Sequence, residues 1–100
     1  MSANGCCLYR AEMGYSRREL LRELPSAVSP YETSLQDDGV VAISCNGRLA
    51  RLVISNDRNR RIGSLSLPVI DVTIDFENFT ERQYAEFVER FRTRLHRGGG

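Results

Sequence analysis

The sequence predicts an α+β domain: an antiparallel sheet of about five strands, in the order β-α-β-β-β-β-α, with two helices packed on one face. Three observations carry that prediction. A capping box opens an amphipathic segment near each end of the chain, alternating segments with short turns fill the middle, and Asn46-Gly47 joins two of those segments as a hairpin. Strands joined by short turns form a meander, and two helices with one apolar stripe each must bury those stripes against the sheet.

Cys7 to Met13 alternates, with Cys7, Tyr9, Ala11 and Met13 on one face and Leu8, Arg10 and Glu12 on the other, as in a half-buried strand. After Gly14, Ser16 stands three residues before Glu19, and Tyr15 and Leu20 occupy the staple positions on either side of this box, so a helix begins at Arg17. Leu20, Leu21 and Leu24 give its apolar stripe, and Pro25 is expected to end or kink it. Tyr31 to Gln36 is a weaker strand, closed by Asp37-Asp38-Gly39.

Val40 to Cys45 and Arg48 to Ser55 flank Asn46-Gly47, whose two-residue turn needs positive φ at both positions and fixes the register. Cys45 faces Arg48, Ile43 faces Ala50 and Val41 faces Leu52 on one side; Ser44 with Leu49, Ala42 with Arg51 and Val40 with Val53 share the other. Asn56 to Arg61 reads as a polar loop, Ile62 to Leu67 as a short strand, and Val69 to Phe76 as a longer one. Pro68, which cannot donate to a ladder, marks an edge, bulge or turn between them. Thr80 and Gln83 form the second capping box, and Tyr84, Phe87, Val88, Phe91 and Leu95 recur at helical spacing until Gly98 to Gly100. In element order the chain resembles the TATA-binding-protein-like fold, a resemblance of topology without any sequence motif of that family; a cut-down helix-grip fold, its sheet curled around the last helix, is the alternative. Fold alone implies no function.

With 100 residues, 41% hydrophobic and 27% charged, the chain suits a single domain over 1–100, about two thirds of whose surface is buried on folding. No apolar run approaches the roughly 18 residues of a membrane span, and the first 13 residues lack a basic stretch leading into an apolar one. The expected compartment is therefore the cytoplasm, with no membrane partner. The net charge is +1, from 14 basic and 13 acidic residues, which leaves no global field toward nucleic acid. Every basic residue is Arg, a usage that coding bias in a GC-rich bacterial genome explains. Three cysteines, Cys6, Cys7 and Cys45, are an odd number without C-x-x-C spacing, so neither a disulfide framework nor a structural zinc site is expected, and no cofactor is implied.

The sequence does not decide whether the chain is an enzyme. Asp71, Thr73, Asp75 and Glu77 make an acidic row, but carboxylates at i, i+4 on a strand stand about 13 Å apart, too far to share a cation. They read as a charged outer face paired with Arg51 or Arg10. His96 lies in a last helical turn, and Cys7 and Cys45 lie on apolar phases, a poor setting for nucleophilic chemistry.

Two basic groups, Arg58, Arg60, Arg61 and Arg90, Arg94, Arg97, are candidate anion-binding sites for nucleic acid or a phosphate ligand. Cations late in a helix also offset its dipole, and Glu86 with Arg90 forms a favourable i, i+4 pair. The leading expectation concerns the sheet face away from the helices, where Leu8, Val40, Ala42, Leu49, Arg51 and Val53 assemble an aliphatic patch. Such a patch suits a non-enzymatic binding or assembly module whose partner is a second copy or another protein. A carrier or enzyme with a pocket between the last helix and the sheet is the further alternative.

Overall fold

A computed structural model describes residues 8–55 and 57–95. Cys6, Cys7, Asn56, His96, Arg97 and Gly98 to Gly100 lie outside the described residues. The order is β1 (Leu8–Met13), α1 (Arg17–Val28), β2 (Glu32–Asp37), β3 (Val40–Cys45), β4 (Arg48–Ile54), β5 (Arg58–Ile62), β6 (Leu65–Glu77) and α2 (Glu81–Arg94). The α+β class and the antiparallel sheet hold. The strand count is six, giving β-α-β-β-β-β-β-α: Arg58 to Ile62 is a strand and not a loop, and the segments on either side of Pro68 are one strand.

The sheet order is β1-β6-β4-β3-β2, with every neighbouring pair antiparallel, and β5 pairs with the first part of β6. The β3–β4 register is the one the Asn46-Gly47 turn demands, from Cys45 opposite Arg48 to Val40 opposite Val53. Asn46 and Gly47 both have positive φ, 51° and 83°. A two-residue slip in loop length would have inverted neither face, but a one-residue slip would have exchanged buried and wet sides, so this turn decides which face becomes core.

Both helices cover the same face. Val41, Ile43, Leu52, Val72 and Ile74 are each 3% exposed or less and cluster with Leu20, Leu24 and Val28 of α1 and Phe87 and Phe91 of α2. Each capping box is complete: Ser16 Oγ accepts from Glu19 N–H while Glu19 Oε1 accepts from Ser16 N–H, and Thr80 and Gln83 repeat the pattern. Phe76 packs edge-on against Phe79, Tyr84 and Phe87, so Phe79 and Tyr84, on either side of the second capping box, join an aromatic cluster that fixes α2 on the sheet.

Pro25 lies inside α1 and does not end it; the helix continues through Ala27 and Val28, both buried. Burial of those two side chains, at about 1.5–3 kcal/mol for a residue of valine size, helps offset the hydrogen bond that Pro25 cannot make. The C-terminal carbonyls of α1 receive a donor from the other helix: Arg94 Nη1 donates to Ser26 O at 2.9 Å and to Ser29 O at 3.3 Å. A cation there complements the dipole of a helix whose own last turn carries no basic residue.

The largest departure from expectation is the ribbon formed by β5 and β6. Ile62 ends β5 and pairs with Leu65 across a Gly63-Ser64 turn, and β6 runs unbroken for 13 residues through Pro68. The proline is tolerated because β6 is paired on one side only at that point: β5 lies opposite, while β1 reaches no further than Ile70. Both β4 and β5 pair with β6, and from Ile54↔Val72 to Arg58↔Val69 the first side advances four residues against three on β6. That extra residue falls between the two ladders, where the β4 pairing along β6 gives way to the β5 pairing. Ser55 N–H donates to Asp71 O, and Asp71 N–H donates to Ser55 Oγ, each at 2.9 Å, which closes the end of the β4 pairing. Beyond it, residues 58–69 form a two-stranded arm that helps draw the molecule out to 48 × 24 × 22 Å.

Candidate functional site

Two sets of side chains face away from the helices. On the sheet, successive rows run Glu77, Leu49, Ser44, Glu32; then Leu8, Asp75, Arg51, Ala42, Ser34; then Arg10, Thr73, Val53, Val40. All six residues of the expected patch lie on this face, with Leu8, Leu49, Arg51 and Val53 exposed and Val40 and Ala42 half-buried. A shallow depression of about 340 Å³ opens there, bordered by Val40, Leu49, Arg51, Asp75 and Glu77.

The arm adds residues that sequence reasoning missed. Arg58, Arg60 and Ile62 pair with Val69, Leu67 and Leu65, and the β6 members continue the odd-numbered phase of Asp71, Thr73 and Asp75. Their ion pairs confirm the shared face: Arg58 Nη2 donates to Asp71 Oδ1 at 2.8 Å and to Glu12 Oε2 at 3.3 Å, and Arg60 donates to Glu12 Oε1. Seven large apolar side chains are exposed among the described residues. Six of them, Leu8, Leu49, Val53, Ile62, Leu65 and Leu67, lie on this one face and are 42% to 60% exposed; Leu35, on the inner phase of the edge strand β2, is the exception.

The two basic groups stand apart. Arg17 N–H, at the start of α1, donates to Asp57 Oδ1 beside β5, whereas Arg94 serves the far end of α1; a 12-residue helix separates those ends by about 18 Å. Arg58 and Arg60 are engaged by carboxylates and Arg94 by carbonyls. Arg61 points from the opposite side of β5 and, like Arg90, makes no ion pair among the described residues, so the Glu86 to Arg90 pair does not form. Arg97 lies outside the described residues. The acidic row is also partnered differently from expectation. Asp71 takes Arg58, while Arg51 lies opposite Asp75 and Arg10 opposite Thr73 without forming ion pairs. The Arg58 and Arg60 side chains of β5 reach Glu12 of β1, a proximity that strand order in the sequence does not reveal.

Hydrogen bonds from Arg60, then Arg58, hold the Glu12 carboxyl below the ordinary carboxylate range. A depressed folded value means that this anchoring is complete above the unfolded carboxylate value, near 4.3, and is lost as pH falls through the folded one. Acidification from neutral pH is therefore expected to release the arm before the core yields, seen as lost amide protection over 58–67, relative to the intrinsic exchange rate at each pH, with protection in β3 retained. Glu12→Gln should abolish this pH response. An arm whose protection is equally pH-sensitive in the variant would show that Glu12 is not its anchor.

Around the single described cysteine, Cys45, no chemical site assembles; it is half-buried beside Tyr31, whose hydroxyl burial pushes above its usual range. Among the described residues no group of three or more histidine, cysteine or acidic side chains is placed to hold a metal ion, and no helix is long and apolar enough to cross a membrane. The chain has no match among protein-family models, curated proteins or solved structures.

Proposed function

We propose that the chain is a non-enzymatic assembly module whose bare sheet face binds a second copy of itself. The observation that carries this reading is the collection of six exposed aliphatic side chains on one face, while the helices bury the other. Exposed aliphatic side chains gathered on one face and set among charged rows suit an interface of mixed polarity. A copy of the same chain suits it because both signs of charge are interspersed there: Arg10 and Arg51 stand among Asp75, Glu77 and Glu32, none of them in an ion pair among the described residues. In a two-fold contact each residue i that meets j is matched by a j that meets i, so a mixed-sign face can satisfy itself. The space between α2 and the sheet is occupied by Phe76, Phe87 and Phe91, which favours an outward-facing function over a ligand held inside.

Size-exclusion chromatography with light scattering tests the reading. The wild-type chain is expected at twice its 11.3 kDa mass, and Val53→Glu, which places a charge in the centre of the patch, is expected at the single-chain mass. A monomeric wild type, or a dimer that Val53→Glu leaves intact, would refute it.

A further inference from the structure

We infer that the arm formed by residues 58–69 is a clasp that closes over the sheet face of a second copy, seating Leu65 and Leu67 in the depression beside Leu49; this rests on the reading of that face as a self-contact surface.

The arm is unusual in its exposure. Every residue of β5, together with Leu65 to Leu67, is exposed, and two strands alone bury too little to be stable without something laid against them. Its edges are open as well, since β1 stops at Ile70, and unpaired strand edges tend to find a partner. Of its three arginines, Arg58 and Arg60 are held by Glu12 and Asp71 of the same chain, and the depression at the other end of the same face sets Leu49 and Val40 among Arg51, Asp75 and Glu77. The arm and the depression both offer exposed aliphatic side chains, yet they lie at opposite ends of β6 and cannot meet within one chain.

Strand length lets them meet between two chains. From Asp71 the arm extends six positions to Leu65 (71 − 65), and the sheet extends six positions to Glu77 (77 − 71). A two-fold axis opposite Asp71 would thus lay Leu65 over the Glu77 and Leu49 row, and Leu67 over the Asp75 and Arg51 row, in both directions at once. Five strands about 4.8 Å apart and roughly 20 Å long, plus the arm, present roughly 600 Å² per copy. Doubled, that exceeds the roughly 1,000 Å² expected of a specific interface.

A mixing experiment tests the clasp. Leu65→Glu/Leu67→Glu alters the arm of one chain and Leu49→Glu the face of another, all at exposed positions, with circular dichroism confirming that each remains folded. Each variant alone is expected at the single-chain mass, and an equimolar mixture is expected to recover species of twice that mass, because an intact arm then meets an intact face. If Leu49→Glu is monomeric but the arm variant dimerises like wild type, or if the mixture of two monomeric variants stays monomeric, the clasp is overturned while the face remains a contact surface. A monomeric wild type, or dimers that survive both variants, overturns the clasp and the face together.

Discussion

Phe91→Ala is expected to lower the unfolding free energy by about 3–5 kcal/mol, the usual cost of removing a buried aromatic ring from a core. Phe91 is 1% exposed, lies parallel to Phe87 with centroids 6.2 Å apart and meets Tyr9 edge-on at 6.0 Å. It therefore ties α2 both to its own helical neighbour and to β1. A domain of this size has only about 5–15 kcal/mol in total, so the loss is a large share of its stability. Urea denaturation should show a much lower midpoint with little change in slope, and Phe91→Leu, which keeps much of the volume, should cost about 1.5 kcal/mol or less. An alanine variant within about 1 kcal/mol of wild type would mean that α2 does not pack on the sheet as described.

Gly39→Val is the second large effect, at about 3 kcal/mol. Gly39 has a φ of +76°, and a Cβ there would stand 2.8 Å from Ile54 O and 3.1 Å from Arg17 Nη2. Both atoms belong to a tight junction: Ile54 N–H donates to Gly39 O at 2.8 Å, and the Arg17 guanidinium donates to Ile54 O and Asp38 Oδ1. The carbonyl cannot swing aside without disturbing the end of β4. Valine also meets the left-handed penalty that falls hardest on β-branched residues. Gly14→Ala, where nothing lies within 4 Å of the new Cβ, serves as the comparison and should stay within about 0.5 kcal/mol of wild type. Equal midpoints for Gly39→Val and Gly14→Ala would refute the junction.

The residues that were legible in the sequence are those where a local rule and burial agree. Asn46-Gly47 set a register, the register set a face, and Val41, Ile43 and Leu52 then had to lie beneath the helices. Ser16 and Thr80 announced their helices for the same reason, since each satisfies backbone donors within three residues. The patch of Leu8, Leu49 and Val53 followed by alternation from that framework.

The arm was not legible in the same way. Arg58 to Ile62 has no apolar alternation because neither side of it is buried, so periodicity sees only a polar run. Pro68 then divided a continuous strand in two, although a proline is harmless where one edge is unpaired. A signal was present: Gly63-Ser64 is a two-residue hairpin loop type, and Leu65, Leu67 and Val69 alternate directly after it. Ion pairs from Arg58 and Arg60 to Glu12 join positions 46 and 48 residues apart, and they depend on β1 and β5 both pairing with β6, which no local pattern encodes. The same long-range character hid Arg94 as a cap for α1.

Photochemical side-chain labelling at low and high protein concentration tests most directly whether the uncovered side of the sheet is where copies meet. Labelling of Leu49, Val53, Leu65 and Leu67 is expected to fall together as concentration rises, while Leu35, 62% exposed on the inner phase of β2, keeps its labelling. Unchanged labelling at those four residues, or protection appearing along α2 instead, would contradict the account.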